Sequence, residues 1–220
     1  MSDAAERLAH IRATIARAEA DGGRISGAVS LVAVSKTHDG VAIRPFLQVG
    51  QRVFGENRVQ EAKGKWPELR HEFPGVELHL IGPLQSNKVR DALALFDVIE
   101  TIDRPKLARA VADEIQRCGR QPRCLVQVNI GREGQKAGID PDQTTALVDL
   151  CRQQFHLPIS GLMCIPPAGL DPVPFFRQLA ALAKELALAE ISMGMSGDYL
   201  QAIACGATSV RVGSALFGPR

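Results

Sequence analysis

The chain has 220 residues, of which 45% are hydrophobic and 23% charged, and its formal net charge is +2. This composition is typical of a folded globular protein, and the length suffices for one substantial core, so we expect a single domain over residues 1–220. The near-neutral balance, with one Trp and one Tyr, argues against a basic, aromatic surface for nucleic acid.

The apolar stretches are shorter than the ~20 residues of a membrane-spanning helix, and the first residues lack an apolar signal core. The five cysteines are widely spaced and form no CxxC pair, which favours reduced thiols over a disulfide framework or a metal site. We therefore expect a cytoplasmic protein with no metal and no membrane or nucleic-acid partner. The sequence shows no dimer surface, so a monomer is the default expectation.

The first predicted element is an amphipathic helix that follows Ser2, a candidate N-cap, and ends near Ala20. A Gly-Gly pair at 22–23 stops it. Its apolar positions recur at helical spacing: Leu8, Ile11, Ile15 and Ala18.

Eight strand-like runs follow, at 31–35, 52–54, 76–81, 97–102, 124–130, 159–165, 190–194 and 208–213. Helix-compatible stretches separate them, clearest at 104–118, 141–154 and 175–188, and shorter at 41–49 and 197–204. This alternation predicts parallel strands joined by right-handed crossovers, and eight repeats predict an α/β protein with a (β/α)8 TIM barrel and an extra N-terminal helix. A doubly wound open sheet is the alternative, but the G-x-G-x-x-G expected after its first strand is missing.

Two glycine-rich turns follow the seventh and eighth predicted strands, where barrels of this kind commonly bind phosphate. In the segment at 194–198, Ser196 supplies a hydroxyl and Gly197 lets the backbone approach a ligand closely. In the segment at 211–214, Gly213 and Ser214 repeat the arrangement. A single turn of this type is usually only a turn, whereas two at these junctions indicate a phosphate site.

Lys36 ends the first predicted strand, and closure of the barrel places that strand beside the eighth. The lysine amine therefore lies near both turns, an arrangement that suits an aldehyde with a phosphate group, as in pyridoxal phosphate (PLP). The alternative for Lys36 is a solvated charge at a strand end.

Arg211 stands between two valines, and if these face the helices, the arginine points into the barrel. A pyridine nitrogen and an inward acid are the two candidate partners of its guanidinium. Alternation also turns His79 inward, where it either packs against a cofactor ring or is a hydrogen-bonded core histidine. Asn57 either binds a ligand or caps the next helix.

These residues lie in motifs that resemble the pyridoxal phosphate homeostasis protein family, a group of single-barrel proteins similar to the cofactor domain of alanine racemase. The match covers nearly the whole chain: AVSKT (33–37), FGENRVQE (54–61), HLIGPLQSNK (79–88), QVNIGREGQKAGI (127–139), GLMCIP (161–166), SMGMSGD (192–198) and VRVGSALFG (210–218). The resemblance implies a fold-type III PLP-binding barrel in which Lys36 carries PLP as an aldimine and Arg211 faces the pyridine nitrogen. It also implies that Asn57 and His79 flank the ring, and that the phosphate is held by Ser196, Gly197, Gly213 and Ser214.

By the same resemblance the protein binds PLP in vitamin B6 homeostasis without an established reaction and has no catalytic residue, and apo-enzymes that use PLP are its candidate partners. The alternative is a PLP-dependent amino-acid racemase with Lys36 as base, which needs an acid on the opposite face of the cofactor. The single tyrosine, Tyr199, follows a turn at a helix start, where packing is the simpler role. A barrel enzyme that acts on a phosphorylated metabolite is a third alternative, and it leaves Arg211 unexplained.

The sequence departs from the family pattern at three places. Arg58 stands where an aromatic residue is frequent, Ser214 stands where threonine is usual, and the stretch between 166 and 192 is short. Serine retains the hydroxyl, so we expect the phosphate site to be preserved.

Overall fold

The computed structural model describes residues 3–218, and eight parallel strands in it close into a barrel in their sequence order. Each predicted strand overlaps an observed one, so the predicted (β/α)8 barrel is confirmed and the open sheet is wrong. The strands are β1 (Ser30–Val34), β2 (Val53–Glu56), β3 (Glu77–Leu80), β4 (Val98–Ile102), β5 (Arg123–Val128), β6 (Ile159–Cys164), β7 (Glu190–Met195) and β8 (Ser209–Val212).

Helices lie between the strands and cover the outside of the barrel. They are α1 (Asp3–Asp21), α2 (Gly40–Gln48), α3 (Val59–Glu72), α4 (Val89–Leu95), α5 (Pro105–Cys118), α6 (Thr144–Asp149), α7 (Val173–Glu185), α8 (Tyr199–Ala204) and α9 (Ser214–Phe217). A 3-10 turn precedes α6, and a π-helical turn, Leu150–Gln154, continues it. The predicted helices are confirmed, although Ser2, the predicted N-cap of α1, lies outside the described residues.

Helix α3 had no assigned range in the sequence analysis, because its local signal is weak. It contains Gly64 and Pro67, two residues with poor helix propensity. The helix forms because Ala62, Trp66 and Leu69 are buried against the barrel, so tertiary packing outweighs local preference.

The N-terminal helix α1 is fixed to the start of β1 by a buried carboxylate. Glu19, which is 2% exposed, accepts hydrogen bonds from the amides of Gly27 at 3.0 Å and Val29 at 2.7 Å. These bonds satisfy two amides of the chain as it passes under the barrel, which is why an acid is tolerated on the apolar face of the helix.

The two faces of the barrel strands bury different kinds of side chain. Outward residues such as Val210 and Val212 belong to the large apolar core between the strands and the helices. Inward residues form a small apolar cluster of Val98, Leu125 and Met163, and buried polar groups share that face. Because the valines on either side of Arg211 face the helices, Arg211 points into the barrel, as the alternation predicted.

Within the described part of the chain, no helix is long and apolar enough to cross a membrane. Residues 3–218 also contain no group of His, Cys, Asp or Glu side chains that could hold a metal ion. The five cysteines are free thiols in the structure.

The close approach of β6 and β7 requires glycine at position 161, because an added Cβ would lie 2.1 Å from the carbonyl oxygen of Glu190. We expect Gly161→Ala to lower the free energy of unfolding by roughly 1–3 kcal/mol, since the strands must separate. The matched control is Gly64→Ala on α3, where an added Cβ meets nothing within 4 Å and stability should rise by roughly 0.5–1 kcal/mol. Urea unfolding measures the free energy of unfolding of both variants. Equal changes in the two would contradict a steric requirement for glycine at position 161.

Candidate cofactor site

A cavity of about 560 Å³ lies at the carboxyl ends of the strands. Its wall combines the ends of β1 and β8 with the loops that follow β2, β3, β5, β6 and β7. Seven of the eight predicted cofactor-binding residues line it: Lys36, Asn57, Ser196, Gly197, Arg211, Gly213 and Ser214. The barrel therefore brings together residues that lie far apart in the sequence.

Closure of the barrel is what joins the lysine to the turns. Strands β1 and β8 pair in parallel with Val32 opposite Arg211 and Ala33 opposite Val212. Lys36 and Gly213 each follow the end of one of these strands, so both lie at the same edge of the sheet. The predicted neighbourhood of strands one and eight is confirmed.

The two glycine-rich turns meet at one side of the cavity. The amide of Gly213 donates a hydrogen bond to the Ser196 hydroxyl at 3.2 Å, so the turns share donors and acceptors. The first turn needs glycine at position 194, where φ is +89° and an added Cβ would lie 2.5 Å from the Cβ of Ala202. At Gly197 an added Cβ meets nothing within 4 Å, so that glycine leaves the edge of the cavity open.

Lys36 is half-buried and lies in a tight turn between β1 and α2. The amide of His38 donates to the carbonyl of Ser35 at 3.1 Å, which closes the turn around Lys36. Thr37, the next residue, has φ of +69°, a left-handed conformation that costs a β-branched residue roughly 1–3 kcal/mol. Its amide donates to the Glu61 carboxylate at 2.6 Å.

Of the two partners that the sequence allowed for Arg211, the inward acid is observed, and the contact with a pyridine nitrogen stays a prediction for a residue that also lines the cavity. It is 3% exposed, and its guanidinium lies 3.7 Å from the carboxylate of Glu100. It donates to the hydroxyl of Ser192 at 2.5 Å and to the carbonyl of Cys164 at 2.7 Å. A guanidinium has five N–H donors, so these partners fix its orientation without making it a purely structural group.

His79 lies inside the barrel, but it is not among the residues that line the cavity. Its Nδ1 is 2.6 Å from Glu100 and its Nε2 is 2.8 Å from Glu77, so both ring nitrogens have carboxylate partners. Burial alone would lower the pKa of His79, but the hydrogen bonds and charges of Glu100 and Glu77 raise it to about 9. The geometry is that of a satisfied core histidine, and the predicted contact with a cofactor ring stays a prediction.

Glu100 links His79 to Arg211 and was not singled out from the sequence. It is fully buried, and it accepts a hydrogen bond from Ser192 at 2.5 Å. Burial alone would raise the pKa of Glu100, but His79 and Arg211 lower it. The sequence signal that could have identified Glu100 is its position as an acid inside the apolar run 97–102, on the same strand face as Val98.

The opposite wall of the cavity contains Gln127 and Lys136, which the sequence analysis also missed. The Gln127 amide donates to the carbonyl of Ala137 at 3.2 Å, and the Lys136 ammonium donates to the carbonyl of Pro166 at 3.0 Å. The first bond holds the loop after β5 against β5 itself, and the second holds it against the loop after β6. A polar residue in the otherwise apolar strand 124–128 was the signal for Gln127.

Asn57 lies against Gly82, where an added Cβ would be only 2.2 Å from the Asn57 carbonyl oxygen. Helix α3 begins after Arg58, and no side chain caps it. The capping alternative for Asn57 is therefore wrong, and its place in the cavity wall agrees with the ligand-contact alternative.

The sequence is similar to known proteins over nearly its whole length. Residues 7–220 match the family model described as the N-terminal domain of alanine racemase. A pyridoxal phosphate homeostasis protein of Vibrio cholerae is 42% identical over 227 residues, covering 98% of this chain and 95% of that protein. The protein of that name from Escherichia coli K12 is 39% identical over 234 residues, covering 100% and 98%.

Solved structures with the same fold include PipY of Synechococcus elongatus with PLP bound. It has a TM-score of 0.87 and 40% identity, covering 98% of this chain and 100% of that chain. Alanine racemase from Corynebacterium glutamicum has a TM-score of 0.65 and 18% identity, and the match covers 60% of its chain. The second likeness extends to the fold alone.

The raised pKa of His79 predicts a pH dependence of stability. Because the folded pKa of about 9 exceeds the ordinary 6.5, the stabilisation is complete below pH 6.5 and is lost as the pH rises through 9. We expect the stability advantage of the native protein over His79→Gln to shrink across this window. Denaturant unfolding at a series of pH values measures it, with His71→Gln, an exposed site on α3, as control. A pH-independent difference would show that His79 is not the titrating group.

Proposed function

The chain belongs to the family of pyridoxal phosphate homeostasis proteins, and from that membership we propose that it binds PLP through Lys36 and takes part in PLP homeostasis in the cytoplasm. The observation that carries the proposal is the cavity itself, which unites a primary amine, two glycine-rich turns and a buried arginine. The relatives that share this function in name match the chain over nearly its full length. Similarity of this extent supports a common function as well as a common fold.

The residues of the cavity fit the chemistry of the cofactor. When bound, PLP supplies an aldehyde that condenses reversibly with a primary amine and releases water. Lys36 is the amine at the cavity wall, and the turns offer hydroxyl and amide groups to a phosphate: Ser196, Gly197, Gly213 and Ser214. The observed bond between the Gly213 amide and the Ser196 hydroxyl places two such groups side by side.

Arg211 is the proposed partner of the pyridine nitrogen, and Asn57 and His79 are the residues proposed to flank the ring. The guanidinium of Arg211 is permanently charged, and its bonds to Ser192 and Cys164 hold it at the cavity wall. A fixed positive charge next to a pyridine nitrogen opposes protonation of that nitrogen, which weakens the ring as an electron sink. This property suits storage of the cofactor better than carbanion chemistry.

We propose that the protein has no physiological catalytic reaction and that apo-enzymes receive its cofactor. Racemisation requires proton-transfer groups on both faces of the substrate carbon. Tyr199, the single tyrosine of the chain, is buried on α8 and is not among the residues that line the cavity. The buried position of this phenol supports a packing role.

Reduction with borohydride tests the proposed lysine. We expect the purified protein loaded with PLP to absorb above the protein band and, after reduction, to carry the added mass on the peptide that contains Lys36. The variant Lys36→Ala should lose the adduct, because it lacks the amine. Lys63→Ala, an exposed lysine on α3, is the matched control and should retain it. An unmodified Lys36 peptide in the loaded protein would overturn the assignment.

Isotope exchange tests the non-catalytic assignment. The loaded protein is incubated with L- and D-alanine in deuterated water, and the α-proton signal is followed by NMR. We expect no exchange above that of free PLP at the same concentration, because no phenol lies in the described wall of the cavity. Rapid exchange that disappears in Lys36→Ala would instead establish a racemase-like activity.

A further inference from the structure

Three charged residues outside the cavity form hydrogen bonds with the turn that contains Lys36. We name residues 35–38 the anchor turn, and we name Glu56, Glu61 and Lys65 the clamp. Glu56 ends β2, while Glu61 and Lys65 lie one helical turn apart on α3. None of the three is among the residues that line the cavity.

Lys65 is the centre of the clamp. Its ammonium donates to the carbonyls of Ser35 at 2.9 Å and His38 at 2.8 Å, the first and last residues of the anchor turn. It also lies 2.8 Å from the Glu61 carboxylate and 3.0 Å from the Glu56 carboxylate. The side chain is 9% exposed, and a lysine is buried to that extent only where its charge is paired and its donors are used.

The two carboxylates of the clamp also bind the anchor turn directly. Glu61 accepts the hydrogen bond from the Thr37 amide at 2.6 Å. Glu56, which is fully buried, accepts the Ser35 hydroxyl at 2.6 Å. The clamp therefore contacts the residue before Lys36 and both residues after it, while the Lys36 side chain reaches the cavity.

The conformation of Thr37 shows why such support is needed. Residues 35–38 form a four-residue turn closed by the bond from the His38 amide to the Ser35 carbonyl, with Lys36 second and Thr37 third. A positive φ at the third position is the requirement of a type II turn, where Gly or Asn is usual. A threonine at φ of +69° persists only where its surroundings over-determine it.

We propose that Lys65 is a positioning residue that, with Glu61, holds the anchor turn in the conformation that directs the Lys36 amine into the cavity. The inference rests on the proposed function for its binding readout only. Reaction of an amine with an aldehyde depends steeply on the relative placement of the two atoms, so a turn that relaxes moves the amine away from the position where it reacts.

A purely structural ion pair is the competing explanation, and the contacts distinguish the two. A pair that only joined α3 to β2 would need Lys65 and Glu56 alone. Here Lys65 also donates to two backbone carbonyls of the anchor turn, and the Glu61 carboxylate accepts a hydrogen bond from a backbone amide of the same turn. Contacts with the anchor turn, which a simple pair between α3 and β2 does not require, therefore favour a positioning role for the clamp.

The first experiment compares Lys65→Met with Lys63→Met. Methionine keeps much of the apolar stem and removes the ammonium, and Lys63 is an exposed lysine of the same helix, paired with Asp91. We expect Lys65→Met to weaken PLP binding by about tenfold, which corresponds to about 1.4 kcal/mol, and Lys63→Met to leave it unchanged. Spectroscopic titration with PLP gives the affinities, and thermal unfolding of the apo-protein gives the loss of stability.

The second readout needs no cofactor. Hydrogen exchange of the Thr37 amide in the apo-protein should accelerate by about tenfold or more in Lys65→Met, because the bond to Glu61 loses its support. If Lys65→Met does not fold, Glu61→Ala replaces it, since that side chain is 29% exposed and its carboxylate accepts the amide bond. Unchanged exchange and unchanged affinity in a folded clamp variant would overturn the proposal.

A rescue variant separates positioning from general destabilisation. Adding Thr37→Gly to Lys65→Met should recover a large part of the lost affinity, because glycine adopts positive φ without steric cost. No recovery in a folded double variant would mean that the clamp acts through stability alone. Absence of PLP binding by the native protein would contradict the proposed function, while the exchange of the Thr37 amide would still test the clamp.

Discussion

The parallel pairing of β1 with β8 is the interaction on which the rest of the structure depends. With Val32 opposite Arg211, the last residues of the chain complete a wall that begins near residue 36. The amine, the two turns and the inward guanidinium share one cavity only because this last pair of strands closes the sheet. If β1 and β8 did not pair, most helices and strands would still form, but the residues of the cavity would not come together.

Beneath the cavity, the interior of the barrel contains a chain of charged groups rather than a purely apolar filling. Arg211, Ser192, Glu100, His79 and Glu77 contact one another in that order. Each buried charge is acceptable because a charge of opposite sign lies beside it, and the Ser192 hydroxyl bridges the one pair, Arg211 and Glu100, that is 3.7 Å apart. The same chain fixes the orientation of Arg211, so the interior of the barrel and the wall of the cavity are one electrostatic unit.

Local sequence patterns were sufficient for the strands and for the two turns, because alternation and glycine spacing are properties of a few consecutive residues. They were insufficient for partners across the barrel. The pairing of His79 with Glu100 depends on the register between β3 and β4, and the support of Lys36 by Lys65 depends on how α3 packs, neither of which a single segment encodes. Helix α3 itself was weakly signalled, since Gly64 and Pro67 obscure a helix that forms through burial of Trp66.

The pairing of charges inside the barrel also bears on the stability of the fold when the cavity is empty. At neutral pH the cations His79 and Arg211 face the anions Glu77 and Glu100, whose pKa values are lowered, so this chain of side chains carries no net charge. Loss of a ligand from the cavity therefore leaves these four charges paired with one another. The interior of the barrel therefore keeps its charges paired whether or not the cavity holds a ligand, and the fold needs no bound counter-ion there.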